Sequence, residues 1–268
     1  HRSWDDMVLS PERMVLLRTI VDRYQHADLV YDDWGFSESV SSRGVVALFS
    51  GPSGTGKTLA AEVVAGTLGL DLFKIDLSSV VSKYIGETEK NLEEIFDAAS
   101  AGNLVLFFDE ADSLFGKRSE VKDARDRYAN IEVSYLLQRL EAYEGLVVMA
   151  TNFEKNVDEA FLRRIHTRIE FALPEAAERE RIWEKNIPEA APASQVDVAW
   201  LAERFEISGG LIRNAAVHAA FLAAARGGEI TTEDAVTGVA FEYRKLGRLI
   251  KPAGFGEYYD AVTRLADH

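Results

Sequence analysis

A glycine-rich segment of eight residues constrains the fold of this chain more than any other feature. Residues 51–58 read Gly-Pro-Ser-Gly-Thr-Gly-Lys-Thr and match the pattern G-x-x-x-x-G-K-[ST]. The apolar run Val45–Phe49 precedes the segment, and residues at helical spacing (Ala60, Val63 and Val64) follow it. In such a strand–loop–helix unit, backbone N–H groups and the helix N-terminus surround phosphate. The predicted nucleotide-binding residues are Gly51, Pro52, Ser53, Gly54, Thr55, Gly56, Lys57 and Thr58.

Short apolar runs predict a parallel sheet. They are Val45–Phe49, Leu72–Ile75, Leu104–Phe108, Leu146–Met149 and Ile169–Phe171. Their Val, Ile and Phe content is typical of strands that are buried on both faces. Helical periodicity lies between the runs, and this alternation is the signature of a three-layer α/β domain with right-handed crossovers. We therefore expect the α/β fold of a P-loop NTPase.

The strand pattern stops near Pro174. Four segments of helical periodicity follow, namely Glu175–Asn186, Val198–Phe205, Leu211–Ala225 and Thr232–Tyr243. We expect a nucleotide-binding α/β domain over residues 1–173 and a small helical lid domain over residues 174–268.

Composition argues against several classes of protein. The absence of cysteine excludes disulfide scaffolds, thiolate zinc sites, iron–sulfur clusters and cysteine nucleophiles. A net charge of −14 disfavours a general binder of nucleic acid or of anionic membranes, because phosphate contacts need clustered Lys and Arg. No run approaches the ~18 apolar residues of a membrane span, and the first residues lack the apolar region of a signal peptide. A cytoplasmic protein without membrane contact is the natural expectation.

Two acidic residues follow the third predicted strand. The run Leu104–Phe108 leads directly into Asp109 and Glu110. Behind a phosphate-binding loop, an acid at a strand end holds Mg²⁺ and a second acid polarises the attacking water. We therefore expect ATP and Mg²⁺ as cofactors, Thr58 and Asp109 as the Mg²⁺ site, and Glu110 as a catalytic residue. The alternative is an ordinary acidic start of a solvated helix.

With these motifs in place, the sequence resembles an AAA+ ATPase, close to the AAA clade in the narrow sense. The resemblance covers nearly the whole chain, from Trp4 to the helical segments. The runs Asp33–Phe36, Gly86–Lys90 and Asp126–Asn130 are similar to bacterial proteins with a single ATPase module, some of them associated with contractile injection systems. The resemblance implies an ATP-hydrolysing ring, a homo-hexamer, which acts on a protein substrate in a chaperone-like way.

The resemblance also assigns two sensor positions. Asn152, at the end of the fourth predicted strand, corresponds to sensor 1, which hydrogen-bonds the γ-phosphate or positions the water. Ser208–Arg213 opens the main lid helix. In many AAA+ branches an Arg three residues after such a glycine is sensor 2, and Arg213 is either that sensor or a charge on the lid surface.

Arginine fingers are implied near residue 160. The segment Asp158–Arg164 resembles the one that carries arginines to the γ-phosphate of the neighbouring subunit, where guanidinium charge stabilises the transition state. Arg163 falls on the first finger position. His166 fills the usual second position, unless Arg164 or Arg168 takes it, and a plain surface pair of Arg163 and Arg164 is the alternative.

The segment Lys83, Tyr84, Ile85 and Gly86 resembles pore loop 1 of protein-translocating rings. An exposed aromatic and aliphatic tip can grip an extended polypeptide without reading its sequence, and the glycine permits the turn. Alternatively, Tyr84 and Ile85 pack into the core of a helix–turn. Residues 115–127 would form a second loop near the channel, with a net charge of +2.

Three functions therefore stay open. The leading hypothesis is a ring motor that unfolds, remodels or disassembles proteins through a central pore. The second is a nucleotide-gated assembly factor that binds partners without threading them. The third, a nucleic-acid motor or clamp-loader-like ATPase, is disfavoured by the net charge of −14 and by the aromatic tip. No protease activity is expected, because the sequence contains no H-E-x-x-H motif.

Overall fold

The computed structural model describes residues 2–40, 42–80, 87–112, 134–152 and 159–264. The chain forms two compact units. The first comprises the residues up to Pro52 and Lys57–Phe171, and the second comprises Ser53–Gly56 and the residues from Ala172 onward. No helix within the described ranges combines the length and the apolarity that a bilayer crossing requires.

The first unit contains a parallel sheet. Its described strands are β1 (Val45–Ser50), β2 (Asp71–Asp76), β3 (Leu104–Asp109), β4 (Leu146–Thr151) and β5 (Thr167–Glu170), in the order β2-β3-β4-β1-β5. Every pair of neighbours is parallel, which confirms the predicted α/β class. Because β1 lies inside the sheet, the glycine-rich segment that follows it begins at the carboxyl edge of a central strand, where open α/β sheets bind ligands.

Helices cover both faces of this sheet. Helices α1 (Pro11–Gln25) and α2 (Lys57–Leu68) contribute to one buried cluster, which includes Phe49. Helix α3 (Glu87–Gly102) and the helical residues 134–142, here α4, contribute to the other, which includes Leu48. Adjacent residues of β1 thus enter different clusters, as the alternation of side chains along a strand requires.

Strand β2 departs from its predicted burial. The apolar run at Leu72–Ile75 predicts a strand buried on both faces, but β2 is the edge of the sheet and only Ile75 of its residues is buried. Phe73 is 45% exposed. Apolar content cannot distinguish an edge strand from a central one, because the number of neighbouring strands is a property of the assembled sheet.

The second unit is helical. Its main helices are α5 (Ala176–Asn186), α6 (Val198–Arg204), α7 (Gly209–Arg226) and α8 (Thr232–Lys245), which lie within two residues of the predicted segments at each end. Trp183 of α5 is fully buried in their shared core. The short helices Pro252–Phe255 and Tyr259–Arg264 add Phe255 and Val262 to the same core. Burial of large apolar side chains therefore holds this unit together.

Asp234 fixes the start of α8. Thr231 is the N-cap: its hydroxyl oxygen accepts the Asp234 N–H at 3.2 Å, and the Asp234 carboxylate accepts the Thr231 N–H at 2.9 Å. The Arg226 guanidinium donates to both carboxylate oxygens, at 2.9 and 2.8 Å. Burial alone would raise the pKa of Asp234, but the hydrogen bonds from Arg226 and Thr231 outweigh it and lower the pKa.

We expect Asp234→Asn to lower the free energy of unfolding by about 1–2 kcal/mol at pH 7, because it removes the charge that Arg226 and Thr231 stabilise. A lowered pKa in the folded state means that this stabilisation is present above the ordinary value of 3.8 and is lost as the pH falls below it. Urea unfolding followed by circular dichroism should therefore show a difference between the two proteins that shrinks at pH 3. The matched control is Glu233→Gln, at an exposed neighbour. An equal loss at both pH values would contradict the linkage.

Candidate functional site

The glycine-rich segment has a backbone that only glycine adopts without strain. Gly51, Gly54 and Gly56 have φ angles of +133°, +78° and +104°. At Gly51, an added β-carbon would lie 2.1 Å from the carbonyl oxygen of Phe171. These positions explain why the motif needs glycine at such spacing, since the backbone can then turn its N–H groups toward a bound anion.

Lys57 is the first residue of α2 and is only 7% exposed. Its ammonium group donates to the carbonyl oxygens of Gly51 and Pro52, at 2.5 and 2.9 Å, and to the side-chain oxygen of Asn152 at 3.1 Å. These contacts use all three of its donors. Burial lowers the pKa of Lys57, and Asp109 acts against this shift. A buried cation is thus held in place beside the glycine-rich segment.

The carboxyl end of β3 carries the two predicted acids. Asp109 is the last residue of the strand, and its carboxylate accepts the Glu110 N–H at 2.9 Å. Glu110 is exposed and has a φ of +53°, in the left-handed region that residues other than glycine seldom adopt. The next N–H, of Ala111, donates to the carbonyl oxygen of Ala150 at 2.9 Å. The turn that presents Glu110 is therefore tied to the end of β4.

Asp112 is a residue of this site that the sequence analysis did not assign. Its carboxylate accepts a hydrogen bond from the Thr151 hydroxyl at 3.3 Å, and its negative charge raises the pKa of Lys57. The available signal was a third acid only three residues after Asp109.

The structure thus brings several predicted residues together. Lys57 follows β1, Asp109 ends β3 and Asn152 follows β4, so they lie at the same edge of three neighbouring strands. The 3.1 Å contact joins Lys57 directly to Asn152. Thr58 lies in the first turn of α2, and a hydroxyl with a carboxylate is an oxygen ligand set of the kind that Mg²⁺ prefers. The residues present therefore fit a nucleotide with its magnesium ion.

The three candidate finger positions differ in their surroundings. Arg163 is exposed just after the one-turn helix Glu159–Leu162. Arg164 forms an ion pair with Glu141. His166 is tied to β1, because its Nδ1 accepts the Val46 N–H at 3.0 Å and its backbone N–H donates to the Val46 carbonyl oxygen at 2.8 Å. Burial lowers the pKa of this imidazole, and nearby Arg23 lowers it further, so the neutral ring is favoured in that role.

Arg213 lies on α7 and is exposed. In the same unit, the Gly210 N–H donates to the carbonyl oxygen of Gly54 at 2.8 Å, and a β-carbon on Gly210 would lie 3.0 Å from the Gly54 Cα. Gly210 is a second residue that sequence reasoning did not assign. The predicted pore-loop residues Lys83, Tyr84, Ile85 and Gly86, like residues 115–127 and Asp158, lie outside the described residues.

Known proteins provide an independent comparison. The family described as "ATPase family associated with various cellular activities (AAA)" matches residues 47–173. The uncharacterized AAA family ATPase y4kL of Sinorhizobium fredii is 34% identical over 189 residues, which is 69% of this chain and 56% of the relative. The ATPase-containing katanin p60 protein of the A-like 1 type from Danio rerio is 32% identical over 238 residues, 83% of this chain and 47% of the relative. The ATP-dependent zinc metalloprotease FtsH 3 of Sphaerobacter thermophilus is 36% identical over 201 residues, 72% and 40% respectively. The chain spans about half the length of these relatives.

Proposed function

Because the chain belongs, through residues 47–173, to the AAA family of ATPases, we propose that it is an ATP-driven motor that remodels protein substrates. The observation that carries this proposal is the gathering of Lys57, Asp109 and Asn152 at one edge of the sheet, with Glu110 on the adjoining turn. Phosphoryl transfer to water needs a cation for the phosphates, a metal site and a carboxylate that orients water. This edge supplies residues for each.

In the proposed reaction, the glycine-rich segment binds the phosphates of ATP and Lys57 neutralises their charge. Thr58 and Asp109 would hold Mg²⁺, which when bound withdraws charge from the phosphate oxygens. Glu110 polarises the attacking water, and Asn152 orients the water or the terminal phosphate. The contact between Lys57 and Asn152 supports this division of roles, because both side chains already point to the same place.

Completion of the site by a neighbouring copy is part of the proposal. Arg163 would reach the terminal phosphate of the next copy in a ring, with a hexamer as the expected assembly. The exposure of Arg163 supports this choice, whereas Arg164 is engaged by Glu141 within its own unit. Arg213 is proposed as sensor 2 on the basis of its place near the start of α7.

The proposed substrate is a protein. One relative is named as an ATP-dependent metalloprotease, and this chain has the matching ATPase region but no H-E-x-x-H motif. We therefore propose that ATP turnover serves to pull or loosen a polypeptide rather than to cut it. Tyr84 and Ile85 are the proposed gripping residues.

We expect Tyr84→Ala to slow ATP-dependent unfolding of a protein substrate at least about fivefold, because an aromatic anchor contributes more than ~1 kcal/mol to a protein contact. The readout is the loss of fluorescence of a fluorescent protein that carries an unstructured tail, measured beside ATP hydrolysis in the same samples. Tyr84→Phe is the matched control and should retain most of the unfolding rate, since it keeps the ring.

Unchanged unfolding by Tyr84→Ala would remove the pore-grip role. If, in addition, partner proteins are released according to the bound nucleotide and no substrate is unfolded, the switch without threading becomes the better description. Salt-sensitive binding to DNA or RNA that stimulates hydrolysis would instead favour a nucleic-acid motor.

A further inference from the structure

Residues 28–40 form an exposed surface that is both apolar and acidic, here named the acidic aromatic segment. Trp34 and Phe36 are 64% and 53% exposed, and Leu29 and Val40 are each 39% exposed. Four acids lie among them, namely Asp28, Asp32, Asp33 and Glu38, with no Lys or Arg, so the segment has a net charge of −4. Clustered exposed aromatic residues with a charged surround are typical of interaction sites.

This segment is held in a defined conformation. Tyr31 anchors it, with only 5% of its surface exposed. Arg43 forms an ion pair with Asp32, and its guanidinium lies 5.9 Å from the centre of the Tyr31 ring. Two helical turns, Leu29–Asp33 and Phe36–Ser39, meet at Gly35 in the left-handed conformation. Trp34 and Phe36 are therefore presented by an ordered surface, which reduces the entropy lost on binding.

Helix α7 carries a surface of the opposite charge, here named the α7 stripe. Arg213, Val217 and Phe221 follow one another at i, i+4 and i+8 and are all exposed, Phe221 to 73%. The helix contains Arg213 and Arg226 but no Asp or Glu, although the chain as a whole has a net charge of −14. The α7 stripe is thus a cationic apolar surface on an acidic protein.

We propose that the acidic aromatic segment of one copy of this chain binds the α7 stripe of a second copy. Two different surfaces on one chain, of opposite charge and each with an exposed aromatic anchor, suit a head-to-tail contact. Pairing of like with like is disfavoured, because two acidic segments would bring −4 against −4. A head-to-tail contact repeats from copy to copy and closes into a ring when the rotation permits. The inference rests on the proposed ring and names the surfaces that build it.

The test uses one broken surface per variant. Trp34→Asp removes the anchor of the acidic aromatic segment, and Phe221→Asp removes that of the α7 stripe. Sedimentation velocity with a non-hydrolysable ATP analogue and Mg²⁺ should show assembled wild type and two monomeric variants, with association weakened at least about 30-fold. The control is Leu249→Asp, at a residue that is 75% exposed but outside both surfaces, and it should assemble like the wild type.

A mixture of the two variants is the decisive sample. Each pair of unlike variants retains one intact contact, between the acidic aromatic segment of the Phe221→Asp chain and the α7 stripe of the Trp34→Asp chain. The mixture should form a complex of two chains and nothing larger. This sample is studied at about tenfold higher concentration, because a single contact lacks the avidity of a closed ring.

Four results would overturn the inference: a monomeric wild type, assembly of either single variant, a mixture that stays monomeric, or a mixture that grows beyond two chains. Binding of a fluorescent ATP analogue is measured in the same samples. A chain that binds the nucleotide but does not use these surfaces defeats this inference and leaves the proposed ATPase standing. A wild type that binds no nucleotide defeats the proposed function itself.

Discussion

Glu110→Gln is expected to lower the rate of ATP hydrolysis by about 10²–10⁴-fold while leaving nucleotide affinity nearly unchanged. A positioned carboxylate contributes about this factor when it orients water or accepts its proton, and glutamine keeps the size of the side chain but not its basicity. Glu110 is exposed at the carboxyl edge of β3 and its backbone is fixed by Asp109, so its substitution should leave the binding residues in place. Steady-state phosphate release and titration with a fluorescent ATP analogue measure the two quantities.

The control for this variant is Glu144→Gln. Glu144 is also an exposed carboxylate of the first unit, but it lies just before β4, at the amino edge of the sheet. It should hydrolyse ATP at the wild-type rate. Normal hydrolysis by Glu110→Gln would exclude Glu110 as the catalytic carboxylate, whereas a comparable loss in Glu144→Gln would show that the effect is not specific to the site.

Lys57→Ala is expected to weaken nucleotide binding by about 10²-fold or more, with hydrolysis lost as a consequence. Hydrogen bonds from a charged donor to phosphate contribute about 1.5–3 kcal/mol each, and the Lys57 ammonium is already confined beside the glycine-rich segment by three contacts. A fluorescent-analogue titration measures the affinity. A thermal melt with and without ATP gives a second readout, because ligand binding raises the melting temperature of the wild type.

Lys74→Ala serves as the matched control, since Lys74 is an exposed lysine of the same unit. Its affinity for ATP should equal that of the wild type. The melt without nucleotide separates loss of binding from loss of folding: Lys57→Ala leaves the oxygens of Gly51, Pro52 and Asn152 without this donor and should melt somewhat earlier. Retained ATP affinity in a folded Lys57→Ala protein would contradict the assignment of the phosphate-binding lysine.

Much of the architecture follows from local patterns. The motif at residues 51–58 requires a strand before it and a helix after it, and β1 and α2 stand there. Because parallel strands place their carboxyl ends at one edge, residues that follow β1, β3 and β4 could be expected to meet, and the contact between Lys57 and Asn152 joins two of them. Short-range patterns thus predict this part of the site well.

The remaining features depend on contacts between distant parts of the chain. His166 meets Val46 across 120 residues, and Arg164 meets Glu141 across 23. Neither pairing leaves a mark in local composition, so the sequence left the finger positions open. The exposed edge position of β2 was missed for the same reason, since strand order is decided by the whole sheet.

The left-handed backbone of Glu110 has a consequence for how this protein could be made more heat-resistant. A non-glycine residue at a φ of +53° costs of order 1 kcal/mol, and a glycine there would relieve that strain. The same change would remove the carboxylate that we propose orients water. A screen that rewards thermal tolerance alone would therefore favour inactive chains at position 110. In this turn, durability and turnover are opposing objectives.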